Sequence, residues 1–329
     1  MWQSIVWTKG PRQWQGIPGI ECAANGRLWC TFYSGGPKEP DPDNLILLTT
    51  SGDGGETWSE PVVMADPQGT TRAYDPCLWH DPEGRLWLIY NHADLAKREY
   101  SVWARVAENA EAADAVWGAP RDLDIDAPFV VRLNKPLGLE SGDWVMPVTW
   151  GRTAPGDSWF AGGEELQGVA ISRDRGAGWT LHGAVEAPRW ALENMIVELL
   201  DGRLWMLIRS GGGTIWQSFS RDGGVTWSAG SPTVIVNPGS RFFVRRLISG
   251  RLLLINSPEP DARRGLIASL SDPADEMTFV GRLTLDDREP VSYPDAVQGS
   301  DGRVFAVHDC DRGGAGEIRL SVFSEDEIV

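Results

Sequence analysis

The stretch Asn25-Gly26-Arg27-Leu28-Trp29 is a turn dipeptide followed by strand formers, and the chain repeats its pattern five more times. The copies are Gly84-Arg85-Leu86-Trp87, Gly142-Asp143-Trp144-Val145, Gly202-Arg203-Leu204-Trp205, Gly250-Arg251-Leu252-Leu253 and Gly302-Arg303-Val304-Phe305. Asn, Asp, Glu or Ser precedes each Gly. The dipeptide supplies a tight hairpin turn, and the apolar run supplies the strand that leaves it. The glycines recur about every 50–60 residues, the period of a four-stranded propeller blade. Six copies fill the chain. The expected fold is therefore all-β, a six-bladed β-propeller forming one domain over residues 1–329.

A second repeat agrees with the first. Ser51-Gly52-Asp53-Gly54-Gly55-Glu56-Thr57-Trp58 matches Ser220-Arg221-Asp222-Gly223-Gly224-Val225-Thr226-Trp227, and Ser172 to Trp179 is a third copy. Each lies downstream of a turn-Gly strand. The reading is a turn between two outer strands: Ser and Asp bond turn amides, Gly takes positive φ, and Trp packs between sheets. Worn versions end at Trp117 and Phe279.

Blade six lacks a fourth strand at the C-terminus. The run Ser4 to Trp7 is the natural donor, which closes the ring and removes two sheet edges. Helix should be nearly absent, with Val106 to Ala115 the best place for a stray turn. The net charge of −16 argues against nucleic acid or an anionic membrane as partner. The start, Met1 to Trp7, lacks a basic region and a long apolar run, so neither a signal peptide nor a transmembrane segment is expected. Cys22, Cys30, Cys77 and Cys310 have no metal-ligand or disulfide spacing and read as free thiols of a reducing, cytoplasmic setting. His80, His92, His182 and His308 show no metal spacing either, and no metal or cofactor is expected.

The repeat also locates a site. The innermost strand of each blade, strand A, lines the central channel. The position nine before the turn Gly is Ile17, Asp75, Glu193, Arg241 and Tyr293 in blades one, two, four, five and six. A longer hairpin in blade three is expected to displace its slot toward Asp126. Equivalent slots of a ring converge, and a structural position would repeat small or apolar residues. Asp, Glu, Arg and Tyr converging in one concavity point to chemistry.

With these residues in hand, the chain resembles the sialidases (neuraminidases) and their BNR-repeat relatives, along its whole length. The resemblance implies a Tyr nucleophile paired with Glu, three Arg that clamp the sugar carboxylate, and an Asp acid. Glu193-Asn194-Met195-Ile196-Val197-Glu198-Leu199, with Arg209 closing the next strand, matches the family's Glu and second Arg. Asn256-Ser257-Pro258 leading to Arg263-Arg264-Gly265-Leu266 makes Arg264 the match for the third. Tyr293 opens the last strand A, as the family's Tyr does. Gly16-Ile17-Pro18 stands where the family has Arg-Ile-Pro, so the first Arg is missing; Arg12 and Arg241 are its candidate substitutes. The acid is one of Asp41, Asp43 and Asp75.

A carboxylate nucleophile would be repelled by a ketoside that carries its own carboxylate at the anomeric carbon, whereas a neutral phenol is not. Glu193 would take the proton of Tyr293, and Arg209 and Arg264 would hold the substrate carboxylate. The implied partner is an acidic glycan, and the implied activity is exo-glycosidase action on sialic acid, a keto-deoxy sugar or a uronate. A propeller lyase and a non-catalytic glycan-binding propeller are the rival readings.

Overall fold

All six turn glycines close in one way. The amide of Gly26, Gly84, Gly142, Gly202, Gly250 and Gly302 donates to the carbonyl three residues earlier at 2.9–3.0 Å. Each Gly has φ between 80° and 90°, a region that side chains other than Gly enter at a cost. The apolar residues that follow pair back as strand B. The computed structural model describes residues 1–39, 41–94, 96–132, 134–153, 165–188 and 191–329.

The strands form six sheets arranged as six blades. Blade one holds Trp14–Cys22, Leu28–Gly35, Leu45–Ser51 and Val62–Ala65. In blades two, four, five and six strand A is Thr71–His80, Leu192–Glu198, Phe243–Arg246 and Val291–Gln298. The last sheet is completed by Trp2–Trp7, antiparallel to Glu317–Phe323 with Trp2 opposite Val322. The first and last segments of the chain thus close the ring, as the missing fourth strand requires.

Blade three departs from expectation. Its hairpin is no longer than the others: Gly142 donates to Leu139 in the common turn. Instead, strand A is broken into Phe129–Arg132 and Leu137–Gly138, both paired with Trp144–Gly151. Asp126 is exposed and precedes strand A, so the slot is not displaced toward it. The residue nine before Gly142, Leu133, lies outside the described residues.

The core lies between blades. Trp144 of blade three meets Trp79 and Trp87 of blade two edge-on, with centroids 5.1 and 6.0 Å away; such pairs add about 0.5–1.5 kcal/mol each beyond area burial. The Asp-box turns are superimposable in their bonding. The amides of Gly55, Gly176 and Gly224 donate to Ser51, Ser172 and Ser220 Oγ at 2.8–2.9 Å. Their Trp residues pack across blade boundaries, with Trp227 joining a cluster that holds Val169 of blade three and Leu204 of blade four. Residues 106–115 are strand end and turns, and the helical content among the described residues is one short 3₁₀ turn, Glu325–Glu327. All four cysteines are free thiols, with Cys22 half-buried and the rest buried. Among the described residues no helix is long and apolar enough to cross a membrane.

Candidate active site

Strand A does not run straight in four blades. The register slips between Gly16 and Gly19, Tyr74 and Cys77, Leu192 and Met195, and Ser292 and Asp295. At each slip the residue nine before the turn Gly is left-handed: Ile17, Asp75, Glu193 and Tyr293 have φ of 55°, 47°, 52° and 55°. A non-Gly residue there is strained, more so for Ile and Tyr than for Asp, and such strain clusters at functional sites. The bulge is what re-aims these side chains.

Tyr293, Glu193 and Arg209 form one buried unit. Arg209 Nη1 donates to Glu193 Oε2 at 2.8 Å and to the Tyr293 hydroxyl at 3.0 Å, so one guanidinium nitrogen joins the Glu193 carboxylate to the Tyr293 hydroxyl. Arg209 closes strand B of blade four (Leu204–Arg209), directly opposite Leu192. Burial pushes the Glu193 carboxyl up, but Arg209 and Arg241 outweigh it and hold the group below its ordinary value. Burial, with Glu193 adding to it, pushes the Tyr293 phenol up to about 12, although Arg209, Arg263 and Arg312 pull it down. The phenol is therefore neutral at pH 7, with an ionised carboxylate beside it to receive its proton.

Three more guanidinium groups surround the Tyr293 ring. Their central carbons stand 4.1, 5.1 and 5.4 Å from its centroid, from Arg312, Arg241 and Arg263. Arg241 also donates to the Pro18 carbonyl at 2.9 Å. Arg264 lies elsewhere. It pairs with Glu289 at 2.7 Å with its side chain 60% exposed, and its neighbour Arg263 faces the site instead. The turn after strand B places adjacent residues on opposite sides, which spacing alone cannot resolve. Arg12 bonds Ser34 and Gln15.

The acid side is built from blades one and two. Asp75 is buried, and burial, with Glu39 and Glu193 nearby, pushes its carboxyl up to about 7 against the pull of Arg72 and Arg241. Asp41 and Asp43 sit apart from this group. Asp41 shapes its own turn, accepting from the Asp43 amide at 3.0 Å, and Asp43 is exposed. The residue of that loop that turns inward is Glu39, 3.5 Å from Arg312 and beside Tyr33 and Asp75. The family resemblance implies an Asp here, and the inward-facing acid of this loop is instead a Glu.

The described residues of blade three support the slots of its neighbours. Arg132 donates to the Asp75 carbonyl, and Asn134 donates to the Glu193 carbonyl at 2.7 Å, so two of the bulges hang from one broken strand. Lys135 then crosses the channel to Glu21 and Asp295 at 2.7 and 3.1 Å. The tripeptide Asn134-Lys135-Pro136 was the available signal: a polar interruption in an apolar strand A. No group of three or more His, Cys, Asp or Glu among the described residues could hold a metal.

The architecture has many relatives among solved structures. A Hadza microbial sialidase superposes with a TM-score of 0.81 at 17% identity, over 99% of this chain and 69% of its own. A protein of unknown function from Dyadobacter fermentans gives 0.79 at 18%, covering 97% of each chain. The intramolecular trans-sialidase from Ruminococcus gnavus, solved with oseltamivir carboxylate, gives 0.74 at 15%, over 99% of this chain and 98% of its own. At these identities the likeness is one of fold. Among curated proteins, none matches the sequence significantly. The family model of the BNR repeat-like domain matches residues 26–306, from the first turn Gly into strand B of the last blade, and the chain belongs to that family.

Proposed function

We propose that this propeller is an exo-glycosidase that removes a terminal acidic sugar, either sialic acid or a related keto-deoxy sugar or uronate. The observation that carries the reading is the buried Tyr293–Glu193–Arg209 unit beneath three further guanidinium groups. Those cations suit a substrate carboxylate, which Arg binds in a two-oxygen fork. A neutral phenol approaches such a substrate without the repulsion a carboxylate nucleophile would meet, and sialidases are the glycosidases that use Tyr this way.

In the first step Tyr293 Oη bonds to the anomeric carbon, and its proton passes to Glu193. The bond to the leaving oxygen breaks, and Asp75 gives that oxygen its proton. A carboxyl pushed up toward neutral pH keeps a proton to give and is matched to that task. In the second step Asp75 takes a proton from water, whose oxygen displaces Tyr293, and Glu193 returns the proton to the phenolate. Atoms and charge balance over the cycle, and the product sugar retains its anomeric configuration.

A non-catalytic glycan-binding propeller is the second reading, favoured by Gly16 where the family carries Arg. Release of a fluorescent aryl group from an aryl sialoside, an aryl keto-deoxy glycoside and aryl uronides separates the two. Release from one of them is expected. Binding of the acidic sugars with no release from any would favour the second reading.

A further inference from the structure

We infer that Arg312 supplies, from blade six, the carboxylate-binding guanidinium that position 16 lacks, so that the clamp is complete although one of its arginines has moved. The inference rests on the acidic-sugar reading above and specifies which group meets the carboxylate.

Three observations converge. A Cβ built on Gly16 would meet the Cγ, Cδ and Nε atoms of Arg312, each at 3.0 Å. The stem of Arg312 therefore lies over Gly16, in the space a side chain at position 16 would fill. Gly16 is buried and is not in the left-handed region, so the backbone has no need of Gly there. The need comes from Arg312. Second, the guanidinium is anchored next to that same backbone. Nε donates to Asp309 Oδ2 at 2.9 Å, and Nη2 donates to Ser292 Oγ at 3.1 Å. Asp309 Oδ2 also accepts from the Ile17 amide at 2.8 Å, and its Oδ1 accepts from Ser292 at 2.7 Å. One buried carboxylate thus holds both the cation and the segment from which the family's Arg would come. Third, the guanidinium carbon stands 4.1 Å from the Tyr293 centroid, nearer than Arg241 or Arg263. Among the described residues, the partner of its Nη1 is the Glu39 carboxylate, at 3.5 Å, which leaves an edge of the fork for a substrate carboxylate.

The ligand class that follows is a sugar with its carboxylate on or next to the anomeric carbon, since the clamp surrounds the nucleophile itself. Calorimetric binding of 2,3-didehydro-2-deoxy-N-acetylneuraminic acid, compared with its methyl ester, reads the clamp without turnover. The protein should prefer the acid. Arg312→Ala should weaken the acid by roughly 10- to 100-fold, as expected for losing a charge-assisted hydrogen-bonded contact, and leave the ester nearly unchanged. Gly16→Arg added to Arg312→Ala should restore part of the preference, because the two side chains share one space. Should Arg312→Ala fail to fold, Gly16→Ala tests the same contact; its methyl crowds Arg312 and should weaken the acid several-fold and the ester not at all. An acid preference that survives Arg312→Ala, or a swapped variant that binds no better than Arg312→Ala, overturns the inference alone. If neither form binds the unaltered protein, the acidic-sugar reading falls, and this inference falls with it.

Discussion

The left-handed backbone conformation occurs at two places in most blades of this propeller, nine residues apart. At the hairpin turns it is always Gly: Gly26, Gly84, Gly142, Gly202, Gly250 and Gly302, with no atom within 4 Å of where a Cβ would stand. At the strand A bulges it is never Gly: Ile17, Asp75, Glu193 and Tyr293, all buried. The turns use the residue that adopts the conformation without strain. The bulges accept roughly 1–2 kcal/mol of strain each so that a functional side chain can face the channel. The same φ thus marks a relaxed structural position in one place and a constrained chemical one in the other.

The strongest way to test that contrast is Tyr293→Phe. The ring, its burial and the bulge remain, and only the oxygen that accepts from Arg209 beside Glu193 is lost. Turnover should fall by at least about 1,000-fold, as for loss of a nucleophile, while an acidic-sugar ligand still binds. Retained activity in steady-state assays would remove Tyr293 from the mechanism.

Asp75→Asn should lower kcat by about 100- to 10,000-fold, the range for a general acid. Glu39→Gln should be milder and should act through pH. Glu39 helps raise Asp75, so its neutralisation lowers that pKa and moves the alkaline limb of the rate profile to lower pH. A limb that stays in place would separate Asp75 from the proton transfer. Stability carries the same signature. The folded-state pKa of about 7 lies above the unfolded value of about 3.9. The contribution of Asp75 is therefore complete below about pH 4 and is lost as pH rises through 7. Melting temperature should fall across that window in the unaltered protein and fall less in Asp75→Asn.

The adjacent pair Arg263 and Arg264 sharpens the comparison on one loop. Arg263→Ala should weaken an acidic ligand by roughly 10- to 100-fold through loss of a cation near Tyr293. Arg264→Ala should change affinity by less than about twofold, because its partner is the exposed Glu289. Equal effects from the two would mean that the loop reorganises on binding.

The fold was legible because its determinants are local. Gly turns, Asp-boxes and the missing fourth strand of blade six are each read within a few residues, and counting back from the turn Gly reaches Asp75, Glu193, Arg241 and Tyr293. What was not legible depends on contacts distant in sequence. Arg312 is aimed by Asp309 and by the vacant space above Gly16. Asn134 and Lys135 act on Glu193 and on Glu21, 59 and 114 residues away. Choosing between Arg263 and Arg264, or between Glu39 and the two Asp residues after it, requires the direction of a loop, and no periodic pattern encodes that.

The smallest effect is expected at the other member of the comparison. Gly302→Ala places a methyl group in open space, so sterics contribute nothing and only the backbone term remains. That term is about 1–2 kcal/mol for a non-Gly residue in the left-handed region, a shift of a few degrees in melting temperature. Activity should be unchanged. Tyr293 lies nine residues back from Gly302, along the strand Val291–Gln298 and its turn, and so at most about 30 Å away at about 3.3 Å per residue. A thermal melt and a kcat/KM measurement on the same sample decide the matter. If kcat/KM falls along with the melting temperature, strain at the turn reaches the bulge along strand A, and the two uses of the left-handed conformation are one mechanical system. If only the melting temperature falls, the turn and the bulge are independent left-handed positions, and the strain at Tyr293 belongs to the site alone.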